Sequence, residues 1–343
     1  MNKKSILLNR WLNVCCLLVF IMILVGGATR LTQSGLSMVD WKPLMGIVPP
    51  LNDNQWNESF NNYKKYPEYQ KINQFKNMDL SDYKSIYYWE YSHRMLGRII
   101  GLFFIIPFFI LNYKGYLNRK IKIPLLISIF LVIFQGILGW FMVKSGLVNN
   151  PHVSHYRLAS HLLLAFLLFG YIYWIKLNVQ YVEDNNESIN KKTLSKHVYF
   201  ILILYVFQVL FGAFIAGTKA GLLWNTFPLM EGKLIPNGLW EIKPFYLNFF
   251  ENMKMFQFSH RILGTIIMIY SGWFFVATQN EFYNKYSGLL FMAFLIQFYV
   301  GIMTLLLKVP LLFGVLHQGI GALILLILVH LQFLISNSKP INR

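Results

Sequence analysis

A histidine followed by arginine occurs at two matching points of the chain. His93-Arg94 lies within Glu90-Tyr91-Ser92-His93-Arg94-Met95-Leu96-Gly97, and His260-Arg261 within Gln257-Phe258-Ser259-His260-Arg261-Ile262-Leu263-Gly264. Each phrase opens an apolar run. Two further histidines, His161 (in His161-Leu162) and His317 (in His317-Gln318), introduce later apolar segments rich in Gly, Ala and Leu. A neutral imidazole can ligate a metal or carry a proton, and such a side chain inside a membrane is costly enough to suggest function. For any one of them, an interfacial histidine bonded to a lid is an equal alternative, but two symmetric pairs favour ligation. Paired imidazoles on rigid helices with an apolar slot between them suit haem iron. Zinc or copper asks for tighter clusters, often with Cys or an i,i+4 His pair, and the sequence offers neither.

The two phrases differ at one chemically important place. Glu90 precedes His93 by three residues and shares its face if the helix has already begun, whereas the equivalent residue before His260 is Gln257. A carboxylate at a helix start also serves as a cap or dipole partner, but capping alone gives no reason for the copies to differ. A carboxylate beside a macrocycle can accept a proton or stabilise positive charge better than an amide. The expectation is that a first pocket, with Glu90, His93 and His161, processes a substrate, and that a second, with His260 and His317, holds a permanent haem that passes electrons. Arg94 and Arg261 would neutralise porphyrin propionates or snorkel to lipid headgroups, with propionates preferred. His152, His155, His197 and His330 read as structural or surface residues, His155 keeping a lesser claim on a haem edge.

The elements that must position these residues are membrane helices. Of 343 residues, 56% are hydrophobic and 13% charged, and several apolar runs reach bilayer-spanning length. Eight spans are expected, near 11–28, 91–112, 123–143, 157–177, 197–217, 258–278, 286–307 and 313–335. The net charge of +17 is scattered over termini and connections, which argues against nucleic acid. Lysine and arginine at 114, 119, 120 and 122, and near both the N-terminus and residue 191, put the two termini in the cytoplasm. The long connections 29–90 and 218–257 then lie outside. The four histidines fall in the outer leaflet, His93 about one turn into its span. Thr32-Gln33-Ser34-Gly35-Leu36 matches Thr218-Lys219-Ala220-Gly221-Leu222, and Pro-Leu-Met recurs at Pro43 and Pro228. These matches define a duplication of four spans plus four, hence a parallel repeat. The expected fold is an all-α polytopic membrane protein of two four-helix bundles, residues 1–180 and 190–337. Adjacent Cys15 and Cys16 read as small apolar residues of the first span, which is expected to be retained, without a transit peptide before it.

Taken together, Gly26-Gly27-Ala28-Thr29-Arg30-Leu31-Thr32, Ser34-Gly35-Leu36-Ser37, Glu90-Tyr91-Ser92-His93-Arg94, His161, Phe258-Ser259-His260-Arg261 and His317-Gln318 resemble the haem A synthase family over nearly all the spans. The resemblance implies oxidation of the C8 methyl group of haem O to a formyl group, giving haem A for cytochrome oxidase. It also implies haem b on His260 and His317, the substrate haem iron at His93 and His161, and a part for Glu90 in the reaction. Some bacterial members carry a cysteine pair in the first outer loop. Segment 29–90 has none, which places the chain nearer the cysteine-free branch and leaves it without a thiol relay there. The bacterial cytoplasmic membrane is the expected location. Membrane lipid, a haem O-producing synthase, an electron donor and a homo-oligomeric copy are the partners the resemblance admits. The competing readings are a dihaem b-type electron carrier or quinol oxidoreductase, and a haem transporter.

Overall fold

The computed structural model describes residues 3–39, 45–148, 151–180, 187–188, 191–337 and 339–340. Eight helices among them are long and apolar enough to cross a membrane: Lys3–Leu31, Leu80–Tyr113, Arg119–Gly146, His155–Gln180, Lys191–Thr218, Met253–Ala277, Asn284–Leu306 and Leu311–Asn337. They are numbered here as spans 1 to 8. Pro43 of the first Pro-Leu-Met phrase lies outside the described residues.

All eight spans are found, those numbered 1, 5 and 6 starting five to eight residues earlier than expected, and the second departs most. Its helix begins at Leu80, eleven residues before the apolar run and about 16 Å further out at 1.5 Å per residue. The reason is local and strong. Asp79 accepts from the Asp82 amide while the Asp82 side chain accepts from the Asp79 amide, a reciprocal cap that fixes the start. The polar first turns then bury Tyr83 and Tyr87 against Trp56, Phe60 and Tyr63 of the loop helix Asp53–Tyr63. Hydropathy marked where the apolar run starts, whereas the helix is set by an aromatic cluster outside that run.

Two consequences follow for the site. His93 lies thirteen residues into its helix, not about one turn, while His161 and His317 each lie six residues from their helix starts. Glu90, ten residues in, cannot be capping an N-terminus that belongs to Asp79.

Span 1 packs on spans 2 and 4, and span 3 on spans 2 and 4; likewise span 5 packs on spans 6 and 8, and span 7 on spans 6 and 8. Spans 1 and 8, 4 and 5, and 4 and 8 join these two sets. At two of these joints a glycine admits the neighbouring span closely. Leu31 of span 1 sits against Gly314 of span 8, where a β-carbon would come 2.6 Å from its Cδ1, and His155 of span 4 sits against Gly217 of span 5, where a β-carbon would come 2.6 Å from its Cβ. Arg30 donates to the carbonyls of Ala216 (2.7 Å) and Gly217 (3.1 Å), capping the end of span 5 from the other set. The apolar core runs through both sets, from Leu12 and Cys15 to Ile172, Ile201, Leu328 and Leu331. Cys15 is buried and Cys16 half-buried, both as free thiols.

Candidate functional site

Each of the four histidines lies against a glycine of an odd-numbered span. A β-carbon on Gly26 of span 1 would come 3.1 Å from Cε1 of His93, and on Gly212 of span 5, 3.1 Å from Cε1 of His260. On Gly139 of span 3 it would come 3.2 Å from His161, and on Gly301 of span 7, 2.8 Å from His317. Glycine therefore supplies the space in which each ring stands edge-on to the neighbouring backbone.

One turn before three of these glycines stands a glutamine. Gln135 precedes Gly139, Gln208 precedes Gly212 and Gln297 precedes Gly301, all as Gln-x-x-x-Gly. The fourth odd span carries Met22 before Gly26. Gln135 donates to the His161 carbonyl (2.8 Å) and Gln297 to the His317 carbonyl (2.9 Å). These residues escaped the reading of the sequence, although the repeated phrase was present in it. A polar side chain within an apolar span, a fixed turn from a small residue, was the available signal.

The second pair is the better defined. The rings of His260 and His317 have centroids 6.2 Å apart, their planes inclined at 64°. Two imidazoles each bonded at about 2 Å to a shared metal have ring centres roughly 6 Å apart, so the spacing fits a common iron. His260 Nδ1 lies 3.0 Å from the Gln208 carbonyl, which can only accept, so Nδ1 carries the proton and Nε2 keeps its lone pair. Nδ1 of His93, His161 and His317 and Oε1 of Gln135, Gln208 and Gln297 are buried with no hydrogen-bond partner in the protein. Buried polar atoms are ordinarily satisfied, so their concentration around four histidines marks a place built for something else to bind. Donor type, spacing and unpaired polar atoms all suit haem. Among the described residues, no three His, Cys, Asp or Glu side chains cluster as a closed metal site.

Glu90 and Gln257 are both buried, and the groups facing them explain why they differ. Oε2 of Glu90 accepts from the Ser37 hydroxyl (2.7 Å) and the Met38 amide (2.8 Å), and Oε1 from Arg94 (2.5 Å). Only a carboxylate accepts from three such donors. Gln257 instead faces the carbonyls of Ala220 and Leu223, to which its amide group donates at 3.4 and 3.2 Å, while its oxygen accepts from Arg261 at 3.2 Å. The outer loop after span 1 presents donors and that after span 5 presents acceptors. The carboxylate and the amide answer that reversal, a reason for the asymmetry that sequence reasoning lacked.

Arg94 and Arg261 also hold these loops. Arg94 donates to the Met38 carbonyl at 2.8 Å, and Arg261 to those of Trp224 and Thr226, each at 2.8 Å. Of the remaining histidines, His155 bonds the Phe250 carbonyl (2.8 Å) and packs on Phe214 and Phe256, which fixes it as a strut between loop and helix. His197 pairs with Tyr270 and His330 with Tyr173. His152 is exposed.

Outside the spans, the first loop encloses a carboxylate the sequence had not singled out. Glu68 is 7% exposed and accepts from the Tyr63 hydroxyl at 2.9 Å, which in turn accepts from Asn73 at 2.7 Å. Burial raises its pKa to about 7, against the lowering effect of the Tyr63 hydrogen bond. The Tyr63 phenol is itself pushed well above its ordinary range, chiefly by burial.

Eight apolar helices with half-buried histidine pairs between them define a multi-pass, all-helical membrane protein. Residues 9–329 match the family described as cytochrome oxidase assembly protein. The chain is 44% identical to the heme A synthase of Nitrosospira multiformis over 92% of its length and 89% of that protein's. With the heme A synthase of Flavobacterium psychrophilum it shares 42% identity over 94% and 96% of the two chains, and with that of Sinorhizobium medicae 41% over 95% and 88%. The chain belongs to the haem A synthase family.

Proposed function

We propose that the protein is a membrane enzyme that converts haem O to haem A, oxidising the C8 methyl group to a formyl group through successive hydroxylations. The net change replaces two hydrogens of the methyl group by one oxygen atom, a four-electron oxidation of that carbon whose electrons pass to an external oxidant. The 6.2 Å separation of the His260 and His317 rings, with a ring nitrogen lone pair held available on His260, carries the assignment of a haem-iron site. The first four spans form the substrate-haem pocket with His93 and His161 near the iron, and the last four the haem b pocket. Haem b bound there would supply one-electron redox capacity.

The chain's own groups do the rest. His260 and His317 orient the resident ring, and the Gly212 and Gly301 notches leave the imidazoles room to turn edge-on. Glu90 places negative charge three residues from His93 in the same helix, where it stabilises positive charge developing on the substrate. Through Ser37, Met38 and Arg94 it also holds the lid over the first pocket. Arg94 and Arg261 hold loop carbonyls, and their positive charge at the outer ends of the spans favours propionates nearby. The outer loops face the far side of a bacterial cytoplasmic membrane, with both termini in the cytoplasm. A haem O-producing synthase, an electron donor and a second copy of the chain are the partners this role calls for.

Extraction and chromatography of haems from cells with and without the protein tests the activity. Haem O should accumulate in its absence, and an unchanged haem profile would overturn the reading. His260→Ala and His317→Ala should each lose the resident haem spectrum, and a normal spectrum in both would overturn the division of the pockets.

A further inference from the structure

We propose that the first pocket opens sideways to lipid between spans 2 and 3, at Gly101 and Gly136, and that this opening takes the long isoprenoid chain of haem O. Phe298 shuts the corresponding place in the second pocket. The inference deepens the proposed function and rests on its assignment of His93 and His161 to the substrate haem.

The two halves superpose through residues already placed. Gln135 and Gly139 of span 3 match Gln297 and Gly301 of span 7, which sets Gly136 in the place of Phe298. His93 matches His260, which sets Gly97 in the place of Gly264 and Gly101 in the place of Met268. In the second half the gap between spans 6 and 7 is filled. Phe298 comes 4.0 Å from the β-carbon position of Gly264, and its ring stands edge-on to Phe227 of the outer loop, with centroids 5.9 Å apart. Deeper in, each of these spans drives a phenyl ring into a glycine notch of the other, Phe291 at Gly272 and Phe275 at Gly288, both 2.9 Å from the β-carbon position.

The first half is built differently along the same seam. Ile105 and Leu126 stand in the places of Gly272 and Gly288, so the reciprocal notches do not exist. A β-carbon on Gly101 or Gly136 would meet nothing within 4 Å, and Gly136 is exposed. Span 3 buries no residue between Ser128 and Gly146, whereas span 7 buries Phe294 and Val300 in the equivalent stretch. Gly136 lies three residues, about 4.5 Å along the axis, from the glycine against His161. The opening is therefore beside the histidine pair. Ile133 and Ile137 next to it are exposed, so what lies outside is hydrocarbon. The pocket behind it holds Nδ1 of His93 and of His161 and Oε1 of Gln135, all buried without a partner in the protein, the mark of a place built for a ligand.

Haem O carries a hydroxylated isoprenoid chain where haem b has a vinyl group. Such a chain is apolar, and an outlet to lipid gives it apolar surroundings without forcing helices apart. A pocket walled by Phe298 has no such outlet and suits haem b.

Gly136→Phe rebuilds the wall of the second pocket in the first. Its side chain enters open space, so the fold should tolerate it. The test uses full-length detergent-purified protein whose second pocket already holds haem b, titrated with haem O or with further haem b and followed at the Soret band. Gly136→Phe should weaken haem O binding by about tenfold or more, the scale for forcing extra carbons into an occupied space. Binding of further haem b should stay within about twofold, a selectivity that a damaged pocket cannot produce. If haem O binds the variant as it binds the wild type, or if both haems weaken alike, the inference fails and the pocket assignment stands. If His93→Ala binds haem O as tightly as the wild type, the assignment fails first and takes the inference with it.

Discussion

Exchanging Glu90 for glutamine tests whether loop polarity explains the acid. The carboxylate is 3% exposed and receives three hydrogen bonds, from Ser37, Met38 and Arg94. Glu90→Gln keeps the shape but removes the charge opposite Arg94 and turns an amide donor toward a donor. Breaking a buried charge pair costs about 3–5 kcal/mol. Arg94 keeps its bond to the Met38 carbonyl, so the lower end applies, and about 3 kcal/mol is roughly a hundredfold in the opening equilibrium of the loop. Amide hydrogen exchange read at Met38 should accelerate by about that factor, with haem A yield falling and the resident haem spectrum unchanged. The reciprocal change, Gln257→Glu, sets carboxylate oxygens against the Ala220 and Leu223 carbonyls and should loosen the second loop. Arg261, 3.2 Å from Gln257 Oε1, offsets part of that, leaving about 1–2 kcal/mol, the cost of unpaired buried acceptors. Unchanged Met38 exchange in Glu90→Gln, together with lost haem A, would refute the loop argument and leave the carboxylate acting on the reaction alone.

Two further outcomes are expected. A β-carbon on Gly301 would lie 2.8 Å from His317, closer than side chains approach, whereas on Gly139 it would lie 3.2 Å from His161. Gly301→Ala should therefore displace its histidine and reduce bound haem in the purified protein, and Gly139→Ala should do so less; the reverse order by Soret absorbance would contradict this packing. Glu68 gives the first loop a pH dependence. Its carboxyl is raised from an ordinary 4.5 to about 7, chiefly by burial, so the native loop holds a proton that the unfolded loop has already released. Stability then falls as pH rises from about 4.5 to about 7, by up to about 3 kcal/mol, and is level above that. Glu68→Gln keeps an acceptor for Tyr63 and should flatten the profile while stabilising the loop at pH 8, measured by limited proteolysis across that range.

Much of this molecule was readable before any coordinates. Hydrophobic runs of bilayer length give eight helices because a spanning segment must satisfy its own backbone hydrogen bonds, and residue polarity along the chain reports that demand directly. The histidines stood out because a titratable group in such a run is expensive. The start of span 2 was not readable from hydropathy, because Asp79, Asp82 and the Tyr83–Tyr87 face extend that helix through contacts with residues 53–63, and those contacts are made in three dimensions.

The sequence by itself determined the number and approximate placement of the spans, the four histidines and the fact that Glu90 and Gln257 differ. Only the tertiary structure decided why they differ, since the donors of Ser37 and Met38 and the acceptors of Ala220 and Leu223 are more than thirty residues away along the chain. It likewise showed that Gln208 stands beside His260. Side-chain chemistry is local and visible in the letters, but a hydrogen-bond partner on another helix is chosen by packing, which no single stretch of chain encodes.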